Sequence, residues 1–215
     1  MIKYRVLNME HYPRAEHFRC FSAMPNPSAG VTAKVDVTRL VCFCREKECS
    51  FYTAMIHIAC LAANRVPEFR RRTKDGGIIE YKTCGTSHIE LLPDKTYCYC
   101  SLRHEMDWDD YLSYAGRCRE KARSAPCITE DEDADAQYFI TTLPWIHYEQ
   151  ILMPVTDPVA DNPRFCWGRY EEDFRGRLMM PFTVIVNHAL MDGIHISVFF
   201  RNLQEEIDRL EDGIR

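Results

Sequence analysis

The stretch from Leu178 to Leu210 constrains the fold more than any other part of the chain. Leu178 to Asn187 (LMMPFTVIVN) is a strand-like apolar run bounded by Arg177 and Gly193, and it ends in the turn sequence HALMDG. Beyond the turn, Ile196, Phe199, Phe200, Leu203, Ile207 and Leu210 recur at the spacing of one helical face. A strand that turns directly into an amphipathic helix needs a sheet to pack on. It also leaves His188 at the end of a buried strand, with Asp192 four residues on and Gly193 permitting a tight backbone.

The rest of the chain supplies that sheet. Val31, Ala33, Val35 and Val37 alternate with polar residues, as in a half-buried strand, and a short helix follows with Thr38 as its expected N-cap. Ser50 opens a second helix carrying Phe51, Met55, Ile58, Ala59 and Ala62, ended before Pro67, and apolar round much of its circumference. Asp75-Gly76-Gly77 reads as the turn of a hairpin leading into Ile78 to Tyr81. Strands are expected at His88 to Leu92, Thr96 to Leu102 and Gln137 to Leu143, and a helix is expected after Asp107. With 215 residues, no long linker and no internal repeat, the expectation is one domain spanning 1–215, of α/β or α+β class.

Charge and cysteine usage narrow the function classes. The net charge of −5, with no concentrated Lys/Arg segment, argues against nucleic acid as a partner. The longest apolar stretches, such as Met179 to Val186, fall short of the ~20 residues that span a bilayer, and the N-terminus has no signal-peptide core, so a cytoplasmic, non-membrane protein is expected. Eleven cysteines then read as reduced thiols. Cys42, Cys44 and Cys49 lack the paired knuckles of a zinc site, and Cys98 and Cys100 alternate with Tyr97 and Tyr99 as on one strand face. No metal is expected. The acidic run from Glu130 to Asp135 reads as a solvated turn, and of the histidines only His188 has a chemically suggestive neighbourhood.

The segment NHALMDGIHISVFFRNLQEEID, Asn187 to Asp208, resembles the H-H-x-x-x-D-G active-site segment of the chloramphenicol acetyltransferase family, itself related in fold to dihydrolipoyl acyltransferase catalytic domains. Further segments match in order: YPRAEHF at Tyr12 to Phe18, VDVT at Val35 to Thr38, Phe51 to Arg70, ITTLPW at Ile140 to Trp145, and RYEE at Arg169 to Glu172. The resemblance implies a two-layer α+β sandwich with a mixed sheet, assembled as a homotrimer with active sites between subunits. It implies an acetyl-CoA-dependent O-acetyltransferase that modifies chloramphenicol or another small hydroxyl acceptor. An alternative is a member that acetylates a different acceptor or only binds coenzyme A.

Position by position, the resemblance makes His188 the general base and Thr141 the hydroxyl that stabilises the oxyanion, where the family has a serine. Arg14 and Asp192 match a buried ion pair that holds the active-site turn. Phe21 and Tyr97 match an aromatic pair that contacts the acceptor, though Phe21 lacks the usual hydroxyl, and Pro25 and Pro27 replace loop residues of that pocket. Cys166 stands where the family has a threonine that acts on the transition state through water, and a thiol is the poorer donor. Asn187 replaces the first histidine of the pair. Arg169 and Tyr170 match a Lys-Tyr pair near the coenzyme A tunnel.

Overall fold

The computed structural model describes residues 3–129, 131–154, 156 and 160–211. In chain order the elements are β1 (Tyr4–Val6), α1 (Ala15–Ser22), β2 (Ser28–Asp36), α2 (Thr38–Glu46), α3 (Phe51–Asn64), β3 (Arg71–Lys74), β4 (Gly77–Tyr81), β5 (Gly85–Leu91) and β6 (Tyr97–Leu102). They continue with α4 (Trp108–Ser124), β7 (Gln137–Leu143), β8 (Arg164–Gly168), β9 (Glu171–Glu172), β10 (Leu178–Asn187) and α5 (Gly193–Asp208). The main sheet runs β2-β10-β8-β7-β5-β6, with β9 beside the start of β10, and a small sheet runs β1-β4-β3. The main sheet is mixed: β5, β7 and β8 are mutually parallel, and the other pairings are antiparallel.

Register assigns every side chain of this sheet to one of two faces. Ile140, Phe165 and Val184 lie side by side on one face, with Trp167 and Phe182 beside them, and all five are buried. Phe199 of α5 stacks on Phe69 and Phe165 there, at centroid separations of 5.3 and 5.0 Å. Helix α3 is buried from Thr53 through Cys60, as expected of a helix apolar on most sides. Cys98 and Cys100 face the same layer and are buried.

The opposite face carries Tyr97, Tyr99, Ile89, Phe139 and Ile185, together with Thr141, Cys166, Thr183 and Thr32 in one lateral row. Its apolar members are only partly covered: Tyr97 and Leu91 are exposed, and Tyr99, Ile89, Phe139 and Ile185 are half-buried. The side chain of Tyr148 bridges part of the row, donating to the Cys166 carbonyl at 2.8 Å and lying 3.0 Å from Thr183 Oγ1. Gly168 makes room for it, since a Cβ at that position would lie 2.7 Å from the Ile146 carbonyl and 2.9 Å from the Tyr148 ring.

Local signals account for most element ends. Ser50 Oγ accepts from the Thr53 amide and Asp107 Oδ1 from the Asp110 amide, as N-caps do. Asp75 and Gly76 take positive φ values of 50° and 75°, which joins β3 to β4 by a two-residue turn. The start of α2 differs from expectation. Thr38 is the first residue of the helix, not its cap, because Asp36 Oδ1 reaches past Val37 to accept both the amide and the hydroxyl of Thr38. Thr38 Oγ1 in turn accepts from the Leu178 amide, which ties α2 to the start of β10. Glu130 of the acidic run lies outside the described residues.

Candidate active site

The end of β10 builds a rigid turn around His188. Asn187 is buried, accepts from the Ala189 amide at 2.9 Å and donates to Asp161 Oδ1 at 2.8 Å, so both ends of its amide are committed. The His188 amide donates to the Pro27 carbonyl at 2.7 Å, which pins the turn against the entry to β2. Arg14, at the start of α1, grips the turn from the other side. Its Nε and Nη2 bind Asp192 at 2.8 and 2.6 Å, and Nη1 and Nη2 reach the Ala189 and His188 carbonyls at 3.3 Å.

The Arg14–Asp192 pair is half-buried within one chain, with Arg14 13% and Asp192 31% exposed. Burial alone would raise the Asp192 carboxyl, but the hydrogen bonds and charge of Arg14 outweigh it and hold the group below its ordinary value. The Arg14 guanidinium is correspondingly pushed up by Asp192, against the effect of its own burial. Asp192 also begins α5, where its amide donates to His195 Nδ1 at 2.8 Å. His195 is a positioning contact that its sequence neighbourhood did not single out.

His188 Nδ1 lies 2.9 Å from the Met191 carbonyl and 3.2 Å from Asp192 Oδ1. Both are acceptors, so Nδ1 is the donor nitrogen and, in the neutral ring, Nε2 keeps its lone pair. Phe21 stacks on the imidazole with centroids 3.9 Å apart and rings 22° from parallel, which fixes the ring plane and covers one of its faces. The His188 side chain remains one-third exposed.

Thr141 is elsewhere. It lies two strands from β10 in register with Thr183, and His188 is five residues beyond Thr183. At ~4.8 Å between strands and ~3.3 Å per residue, the two side chains are on the order of 20 Å apart within one chain. Tyr97 shares Thr141's face of the sheet, while Phe21 sits with His188. Cys166 is adjacent to Thr141 in register and fully buried, which pushes its thiol up.

Arg169 and Tyr170 border a cavity of about 560 Å³ that opens at the end of β7, and Thr141 borders it too. Phe51, Tyr52 and Trp145 give it an aromatic lining, with the Phe51 and Tyr170 rings 5.5 Å apart. Arg119 and Arg123 of α4 stand in its wall beside Glu90. No spacing along the chain links these three, because they come from β5 and α4 and meet only in the fold. Likewise His57 and His104 face each other through their Nδ1 atoms at 3.0 Å, and His104 Nε2 meets Thr86 Oγ1 at 2.9 Å.

His188 thus stands on a braced strand–helix turn at the end of a mixed sheet backed by helices. The chloramphenicol acetyltransferase family model matches residues 2–204. A chloramphenicol acetyltransferase of Escherichia coli is 24% identical over 219 residues, covering 98% of this chain and 96% of that protein. Chloramphenicol acetyltransferase 3 of Escherichia coli is 26% identical over 212 residues, covering 95% and 97%. Among solved structures, a chloramphenicol acetyltransferase superposes with a TM-score of 0.83 at 20% identity, covering 95% of this chain and 100% of that one. The cubic core of the pyruvate dehydrogenase multienzyme complex superposes at 0.67 with 19% identity, covering 92% and 86%. The chain belongs to the chloramphenicol acetyltransferase family, and it is an acetyl-transferring enzyme.

Proposed function

We propose that the protein transfers the acetyl group of acetyl-CoA to a hydroxyl of chloramphenicol or a similar small acceptor, directly and without an acyl-enzyme. His188 Nε2 takes the acceptor's hydroxyl proton as that oxygen attacks the thioester carbonyl. The Thr141 hydroxyl donates to the oxyanion that forms, a contact worth about 2.7–4 kcal/mol of barrier. Collapse of the tetrahedral intermediate releases coenzyme A, whose sulfur takes the proton from the His188 imidazolium. Cys166, next to Thr141, stands where a hydroxyl would order a water on the transition state. Acetyl-CoA enters by the aromatic cavity bordered by Arg169 and Tyr170, and the acceptor is held by Phe21 and Tyr97.

One observation carries this reading: His188 Nδ1 faces two acceptors, which leaves Nε2 for the proton of an incoming hydroxyl, while Thr141 lies on the order of 20 Å away within one chain. A homotrimer in which His188 of one subunit faces Thr141 of the next unites them. The half-covered apolar face around Tyr97, Leu91 and Phe139 supports such packing, since a face of that kind gains by being covered. Phe21, on His188, and Tyr97, on the face of Thr141, likewise meet one acceptor only across that contact. The eleven free thiols suit a cytoplasmic location.

Phe21 favours a second reading of the acceptor. Its unsubstituted ring lies flat on the imidazole and offers no hydroxyl, so a small acceptor other than chloramphenicol would meet an apolar wall. The test is release of thiol from acetyl-CoA by the wild-type protein and by His188→Ala, with and without chloramphenicol. Chloramphenicol-dependent release that vanishes in the variant bears out base and substrate together. Release by His188→Ala at the wild-type rate removes the proposed base.

A further inference from the structure

The wall of the aromatic cavity contains a charged cluster that the acetyl-transfer chemistry does not use. Glu90 is 1% exposed and lies on the helix-covered face of β5, where a lone carboxylate would be costly. Arg119 Nε and Nη2 bind it at 2.5 and 3.3 Å, and Arg123 Nε and Nη2 bind it at 2.8 and 2.5 Å. His88 Nε2 adds a contact at 3.2 Å. Burial lowers the His88 pKa, and Arg119 and Arg123 lower it further against the pull of Glu90, so His88 contributes no charge at neutral pH. One carboxylate against two guanidiniums leaves a surplus of one positive charge.

That surplus has a definite place. Arg119 is fully committed, since its third nitrogen, Nη1, donates to Thr53 Oγ1 at 2.6 Å. Arg123 is anchored by two nitrogens on Glu90, yet its side chain is 49% exposed and its Nη1 has no partner among the described residues. Both arginines border the cavity, as does Arg169, whose own charge is paired with Glu171 at 2.9 Å. A guanidinium held in one orientation, with a free N–H edge at the mouth of an aromatic-lined cavity, is prepared for a phosphate.

We infer that Arg123, oriented by Glu90, binds a phosphate of the ligand that enters this cavity. The inference rests on the acetyl-CoA reading and deepens it, naming the residue that distinguishes a phosphorylated thioester from an unphosphorylated one. Because Glu90 already fixes the guanidinium, little side-chain freedom is lost on binding. The bond is charge-assisted, so its loss costs roughly tenfold in affinity.

The test is calorimetric titration of the wild-type protein, Arg123→Gln and Arg123→Lys with coenzyme A, its 3′-dephospho form and pantetheine. Arg123→Gln is expected to weaken coenzyme A binding roughly tenfold, with pantetheine binding as in the wild type and part of the loss restored in Arg123→Lys. A penalty that persists with the dephospho form assigns the contact to the pyrophosphate, and one that disappears assigns it to the 3′-phosphate. Equal weakening of pantetheine, or unchanged coenzyme A binding, overturns the inference while leaving the acetyl-transfer reading intact. A wild-type protein that binds neither coenzyme A nor pantetheine defeats both.

Discussion

Replacing Asp192 by Asn tests how the turn around His188 is held. The substitution keeps the shape of the side chain but removes the charge opposite Arg14, a guanidinium only 13% exposed. Leaving one partner of a fully buried pair uncompensated costs about 3–5 kcal/mol. Asp192 is 31% exposed and Arg14 keeps the His188 and Ala189 carbonyls, so a loss of about 2–3 kcal/mol is expected here. The assay is urea unfolding of both proteins at one fixed concentration, followed across pH. The sign follows from the depressed Asp192 pKa. Its contribution is fully present above the unfolded value of 3.8 and is lost as pH falls through the lower folded value, so the two proteins should converge in acid. A loss below about 0.5 kcal/mol at neutral pH, or a difference that stays constant into acid, would show that the Asp192 charge does not hold the turn.

Thr141→Ala should lower kcat by about two orders of magnitude while leaving the KM for acetyl-CoA within about twofold, and Thr141→Ser should retain most of the rate. Steady-state thiol-release kinetics check both. The buried His57 adds a second acid sensitivity: burial lowers its pKa from 6.5 to about 4, so the folded chain resists the proton that the unfolded chain takes up. Stability is therefore complete above about pH 6.5 and falls toward pH 4, by about 2 kcal/mol at pH 5 from this group alone. Urea unfolding of His57→Phe should show a shallower loss between pH 7 and pH 5.

The parts of the fold that could be read from the sequence are those where one local signal decides. β10 and the helix after it, the Ser50 cap and the Asp75-Gly76 turn all appear where periodicity and capping chemistry put them. β8 was not expected, because FCWG following Arg164 is short and buried on both faces, so it shows no alternation. At Thr38 a rule of thumb for caps lost to a neighbour: Asp36 accepts the Thr38 amide and hydroxyl, so Thr38 enters the helix rather than capping it. The turn around His188 was legible because Asn187, His188 and Asp192 are close in sequence. The Glu90 cluster was not, because Arg119 and Arg123 lie 29 and 33 residues away on another element. Tyr97 and Phe21 likewise share no neighbourhood within one chain, which no spacing rule anticipates.

The proposed pairing of His188 of one subunit with Thr141 of another has a direct test in mixed oligomers. His188→Ala and Thr141→Ala proteins, each nearly inactive, are unfolded together, refolded and assayed for acceptor-dependent thiol release from acetyl-CoA. Some interfaces of the mixture pair an intact His188 with an intact Thr141, so activity well above either parent is predicted. A mixture no more active than its parents, though the wild-type protein refolded in the same way recovers its rate, would contradict a site shared between subunits.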